Sequence, residues 1–183
     1  MIKNIILLLA LLIMPIHIAT AADTGESVAK PLHIAVVDVQ QLMNNSDAAK
    51  SIQKQGEDLK EKYQKRIGKL EDELKKAEQK VIEAGEEKDQ EKFMERRKDF
   101  QEELAKSQRE IREMNQNLDR AVATALNELR DEIVEIVSQM TVKNKYDMVL
   151  TRADVVTVSK DIDITAAVME RLNDEVSSIR VRD

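Results

Sequence analysis

The first pattern along the chain is an apolar run from Ile5 to Ile13, continuing to Ile18, with Lys3 before it and Ala19-Thr20-Ala21 after it. A positive start, an apolar middle and a small-residue end predict a secretory signal peptide over residues 1–21 and a mature start at Ala22. The run is shorter than the roughly 20 apolar residues that span a bilayer. Residues 22–33, with Asp23-Thr24-Gly25-Glu26-Ser27 and Pro31, read as a flexible leader. The β-branched stretch Ile34-Ala35-Val36-Val37-Asp38-Val39 predicts a buried strand, and Asn44-Asn45-Ser46-Asp47 supplies turn and helix-capping chemistry.

From Asp47 to Lys143 the pattern becomes helical. Tyr63, Ile67, Leu70, Leu74, Ala77, Val81 and Ala84 recur at alternating steps of four and three, the mark of a heptad seam. The pattern stops at Ala84-Gly85-Glu86-Glu87-Lys88, where Gly85 is expected to take the left-handed conformation that ends a helix. It resumes at Phe93 and runs through Phe100, Leu104, Ser107, Ile111, Met114, Leu118 and Ala121. Two such segments around a break predict an antiparallel helical hairpin, an arm over 47–143 with its tip near 84–88. Placing the bend at residue 87 pairs positions whose numbers total 174, such as Val81 with Phe93, Tyr63 with Ile111 and Ile52 with Val122. The same register sets Ala77 against Arg97 and Lys60 against Met114. Gly56 and Gly68 weaken the first helix.

Near its base the second helix carries a broader apolar set: Leu118, Ala121, Val122, Ala125, Leu126, Leu129, Ile133, Ile136, Val137 and Met140. That is wider than a two-helix seam needs, so this end meets a further layer. Strands at Ile34–Asp38, Asp147–Thr151 and Val155–Ser159 are expected to supply it, the last two joined by a tight Arg152-Ala153-Asp154 turn. Asp163 is placed to cap a last helix from Ile164 to about Val176. Residues 34–46 and 144–183 thus form a small β-rich body that is too slight to carry so long an arm alone. Oligomerisation through strand residues Ile34, Val36, Val37, Met148, Leu150, Val156 and Val158 is the expected remedy, since a barrel shared between subunits removes sheet edges. The fold class is mainly α with a small β body: a coiled-coil arm on a short-stranded barrel.

Composition sharpens this picture by exclusion. The 183 residues are 42% hydrophobic, yet 16 of those hydrophobic residues fall within the first 21 positions, and only four residues are aromatic. Beyond residue 21 the sole histidine is His33 and there is no cysteine, so no histidine triad, cysteine nucleophile, His-rich zinc site or disulfide framework can be built within one chain. The four glycines are scattered and cradle no phosphate. No cofactor, metal or enzymatic activity is expected. The 24 acidic and 21 basic residues of the arm read as a solvated surface.

The order of elements carries a resemblance. The signal peptide, the Ile34-Ala35-Val36-Val37-Asp38 strand followed by Leu42, the charged hairpin with Ala84-Gly85 at its tip, Tyr146-Asp147-Met148-Val149-Leu150, and the closing Asp163-Ile164-Thr165 helix together resemble the Skp (OmpH-like) periplasmic chaperones. That resemblance implies a homotrimer with a β-barrel body and three helical tentacles around a cavity. It also implies an ATP-independent holdase for unfolded outer-membrane β-barrel proteins leaving the Sec translocon. The best-known members are basic, whereas this chain has a pI near 5.2. Lipopolysaccharide or membrane-surface contact is therefore expected to be weak, with Arg96-Arg97-Lys98 as the densest basic cluster, and no nucleic-acid partner is expected. Phe93, Met94 and Met114 are the candidate client contacts, Met94 standing one position off the seam. The rival reading is a structural coiled-coil spacer or adaptor of the cell envelope.

Overall fold

The computed structural model describes residues 30–183; the expected signal peptide, the expected Ala22 start and most of the expected leader lie outside the described residues. Leu32–Asp183 form one compact unit. Strand β1, Ile34–Val37, is short and β-branched, and its Ala35, Val36 and Val37 are all buried. Burial on both faces is what a parallel strand requires. Asp38 then opens helix α1, Val39–Asn45, by accepting the Gln41 N–H at 2.8 Å. Ser46 ends α1 and begins α2, Asp47–Glu86, its hydroxyl accepting the Ala49 N–H at 3.2 Å. Both carboxyl and hydroxyl caps satisfy amide groups that a helix start leaves open.

Helix α2 has 40 residues and α3, Gln90–Asn144, has 55. At about 1.5 Å per residue these are roughly 60 Å and 80 Å long. They run back to back as the expected hairpin, but the bend is made differently from the sequence expectation. No glycine has a positive φ among the described residues; Lys88 takes the left-handed conformation, at φ 57°. Gly85 stays helical, its Cβ position 3.6 Å from the Phe93 ring, and Asp89 caps α3 by accepting the Lys92 N–H at 3.0 Å.

The register differs as well. Gly56 faces Val122 and Gly85 faces Phe93, pairs whose numbers total 178, while Arg66 bonds Glu110, a total of 176. Relative to the expected 174 this is a slide of up to one helical turn. A seven-residue repeat presents nearly the same apolar face after such a slide, so the pattern alone does not distinguish the two. The slide improves the seam: Met114, expected opposite Lys60, is buried in one cluster with Leu59, Tyr63, Leu70 and Ala121.

The base of α3 enters the body core, as its wide apolar set predicted. Ala125, Leu129, Ile133, Ile136 and Met140 pack with Ala35, Val37, Leu42, Ala48, Ala49, Ile52 and with Val168 and Leu172 of α4, Thr165–Glu175. Lys145 ends α3 in the left-handed conformation, at φ 56°. Strand β2, Met148–Thr151, then pairs in parallel with β1, Ile34 opposite Met148 through Val37 opposite Thr151. On the far side of β1, Val36 forms an isolated bridge with Asp163, and the Ile164 N–H donates to the Val36 carbonyl at 2.9 Å. Asp163 accepts the Thr165 N–H at 3.0 Å where α4 begins.

The third expected strand is a correction. Val155–Ser159 is not a strand: Arg152–Asp154 is a single 3-10 turn, and the segment after it is irregular. Val156 is fully exposed and Val158 half-buried, and among the described residues no strand pairs with this segment. The described sheet has two strands rather than three.

Candidate functional site

With one histidine beyond residue 21 and no cysteine, the features with binding potential are sought on the arm. Among the described residues no group of three or more His, Cys, Asp or Glu side chains could hold a metal ion. No described helix is long and apolar enough to cross a membrane. The arm's own geometry provides three distinct surfaces: an outer reach near the tip, a bare apolar groove near the base, and a face covered by the C-terminal segment.

Near the tip Met94 is 53% exposed and Ile82 is 50% exposed, two large apolar side chains in water. Phe93 is half-buried over Gly85, and Met114 is 8% exposed. Of the three side chains singled out for client contact, Met94 is open, Phe93 partly so, and Met114 faces the seam. The basic cluster is partly neutralised on its own helix. Arg96 pairs with Asp99 at 3.3 Å and Lys98 with Glu102 at 3.7 Å, and among the described residues Arg97 has no ion pair.

Halfway down, Arg66 holds Glu110 by two hydrogen bonds, from Nε at 2.6 Å and Nη2 at 3.1 Å, and reaches Glu73 at 3.4 Å. The Glu110 carboxyl sits below the usual carboxylate range because Arg66 donates to its charged form, and the guanidinium is raised by the same contact. Ser107, nearby in the seam, is 1% exposed and its hydroxyl has no hydrogen-bond partner.

Toward the base, Ile52, Gly56, Leu118, Val122 and Leu126 line an open groove of about 470 Å³, rimmed by Gln53, Glu57, Lys60 and Asp119. Gly56 is what makes room: a Cβ there would sit 3.3 Å from the Val122 methyl.

The third surface is one that the heptad pattern does not reveal. After Val176 closes α4, the chain runs back along the arm. Ile179 is 4% exposed in the body core, and Val181 packs against both the body and the arm clusters. The Gln55 side chain donates to the Ile179 carbonyl at 2.7 Å and accepts the Val181 N–H at 3.0 Å. Asp183 accepts from Lys62 at 2.8 Å and from the Tyr63 hydroxyl. Lys62, then Tyr63, hold the Asp183 carboxyl below its ordinary range, while burial and then the bond to Asp183 push the Tyr63 phenol up to about 12. The sequence does carry one signal of it: Ile179 and Val181 alternate with Arg180 and Arg182, the period of an extended strand with one face covered.

The family model described as "Outer membrane protein (OmpH-like)" matches residues 33–172, most of the chain. The chain belongs to the OmpH-like family. A Skp-like protein of Pseudomonas aeruginosa is 28% identical over 159 residues, covering 85% of this chain and 93% of that one. A crystal structure from Caulobacter crescentus, described as a candidate outer membrane chaperone (OmpH-like), superposes with a TM-score of 0.74 at 14% identity. It covers 82% of this chain and 89% of the other, and at that identity it speaks for the fold. The overall fold is therefore shared over most of both chains. The C-terminal segment lies beyond the stretch that the family model matches.

Proposed function

We propose that this OmpH-like protein is an ATP-independent holdase of the periplasm that keeps unfolded outer-membrane β-barrel proteins soluble between arms. Family membership carries the reading, and the arm supplies its physical means. Unfolded barrel proteins expose strands of alternating apolar residues. A charged arm with scattered apolar contacts, Met94 and Ile82 outward and the Gly56–Val122 groove at its base, can hold many such segments weakly without imposing a fold on any. The Skp-like name of the Pseudomonas aeruginosa relative and the chaperone description of the Caulobacter crescentus structure support the same role.

In this reading the body is completed by two further copies. The outer edge of β2 carries no described partner, and Val134, Val142, Met148, Val156 and Ile162 present apolar surface at 61%, 78%, 49%, 101% and 39% exposure. Three copies pairing these edges would close a barrel, with Val156 and Val158 drawn into strand by the neighbour. Export follows from the predicted signal peptide, and release comes from the client's own folding, since no nucleotide site is needed.

Light scattering of a denatured outer-membrane β-barrel protein diluted into buffer tests the holdase. Aggregation should fall to near baseline at a slight molar excess of trimer; undiminished scattering at a large excess overturns the role and leaves an envelope spacer as the surviving reading. Sedimentation velocity tests the trimer separately, a monodisperse monomer at micromolar concentration being the contrary result.

A further inference from the structure

Gln55 holds the C-terminal segment through its side-chain amide. A side-chain amide is chemically a peptide group, and here its N–H donates to the carbonyl of Ile179 while its C=O accepts the N–H of Val181. Those are the two main-chain groups that one residue of a neighbouring parallel strand would engage. The helix thereby offers a strand-like docking point that reads backbone and not side-chain identity. Main-chain bonds of this sort give affinity to any extended segment, and the flanking pockets set which side chains are accepted.

Those pockets follow period two. Ile179 is buried in the core at the foot of the arm, Val181 packs against both clusters and Asp183 bonds Lys62, while Arg180 and Arg182 are exposed. The seat thus accepts an apolar residue, a second apolar residue two positions on, and a carboxylate two further on, which Lys62 and Tyr63 receive. We propose that this seat is a binding site for extended segments with alternating apolar residues, and that the chain's own C-terminal segment is its resident competitor. The occupant class is that of unfolded β-strand sequence, so the inference rests on the holdase reading for its biological client. Client segments enter as the resident segment peels away, and the segment's return helps to expel them.

Two labelled peptides test this by fluorescence anisotropy: one with the sequence of residues 176–183, and one of alternating valine and serine ending in aspartate. The proteins are the full chain, the full chain with Ile179→Ser and Val181→Ser, and that double variant with Gln55→Ala added. The double variant should bind both peptides at least about tenfold more tightly than the unaltered chain, because its resident segment has lost its burial. Adding Gln55→Ala should abolish the gain.

If only the cognate peptide gains, the seat is a private strap and the inference fails; if neither gains in a variant of unchanged helical circular dichroism, it fails outright. Should the double variant lose helicity, Asp183→Asn loosens the last anchor alone, with an expected gain of about threefold and no gain as the contrary result. A chain that suppresses aggregation while peptide binding is unmoved by these variants retains the holdase role and loses the latch. A chain that binds peptide as expected without suppressing aggregation retains the latch and loses the holdase role.

Discussion

Arg66 and Glu110 face one another across the hairpin, guanidinium edge to carboxylate edge, and fix which turn of α2 meets which turn of α3. The apolar seam cannot do this, because its repeat is satisfied again one heptad away and nearly so one turn away. Both side chains are about a third exposed, so their attraction is moderate and screened by salt. Glu110→Gln should speed proteolysis within the arm by at most about fivefold at low salt, with the body protected as before. Limited proteolysis checks this, and the variant and the unaltered chain should converge as salt approaches about 1 M.

Two of the three arm glycines should respond unequally to the same change. Nothing lies within 4 Å of a Cβ built at Gly68, so Gly68→Ala should stabilise the arm by about 0.5–1 kcal/mol through helix propensity alone. At Gly56 the Val122 methyl is 3.3 Å away, so Gly56→Ala must displace it and should gain less, while filling the groove. Urea titrations of both variants measure the difference, which vanishes if the groove closes freely.

Ser107 is a buried hydroxyl with no partner in the middle of the seam. Ser107→Ala removes the desolvated group and improves helix propensity, for a gain of about 1 kcal/mol. A fall in the melting temperature would show that the hydroxyl does find a bond in solution.

Lys145 ends α3 with a left-handed backbone that a side chain disfavours by roughly 1–2 kcal/mol. Lys145→Gly should recover about 1 kcal/mol of that after the added freedom of the unfolded chain is counted. Thermal unfolding followed by circular dichroism checks it.

The Asp183 contacts make the C-terminal segment sensitive to pH at both ends of the scale. The Asp183 carboxyl is lowered by Lys62 and Tyr63, so its contribution is complete above the ordinary carboxylate value near ~4 and is lost as pH falls through the lowered one. The Tyr63 phenol is raised to about 12. Its contribution is complete below its ordinary value near ~10 and is lost as pH rises toward the raised one. Protection of the Val181 amide from hydrogen exchange, taken relative to its intrinsic rate at each pH, should be greatest in the wide range between. Asp183→Asn should remove the acid limit and only weaken the alkaline one, because burial is the first cause of the raised Tyr63 phenol; an unchanged acid limit would detach the segment's stability from this pair.

Much of the arm was legible because a long helix repeats its evidence every turn. Tyr63, Leu70, Ala84 and Ser107 sit where the heptads put them, and the Ser46 cap and the broad base of α3 were visible in residue type alone. The turn departs from expectation because Gly85 is the residue that most easily adopts a left-handed backbone, whereas here Lys88 takes it, three residues on. Val155–Ser159 has strand alternation, but a strand exists only where another accepts its hydrogen bonds. The C-terminal segment is hard to read in the sequence since two apolar residues between arginines say little by themselves. Its burial depends on Gln55, Lys62 and Tyr63, more than a hundred positions away.

The pairing of β1 with β2 joins residues 114 apart, on either side of the whole arm. Loop closure over such a distance is slow, whereas the seam forms from neighbours in sequence. A chain emerging from its N-terminus would complete the hairpin first and hold β1 without its partner until β2 arrives. The arm thus precedes the body in the order of assembly, and the unpaired strand is the vulnerable intermediate.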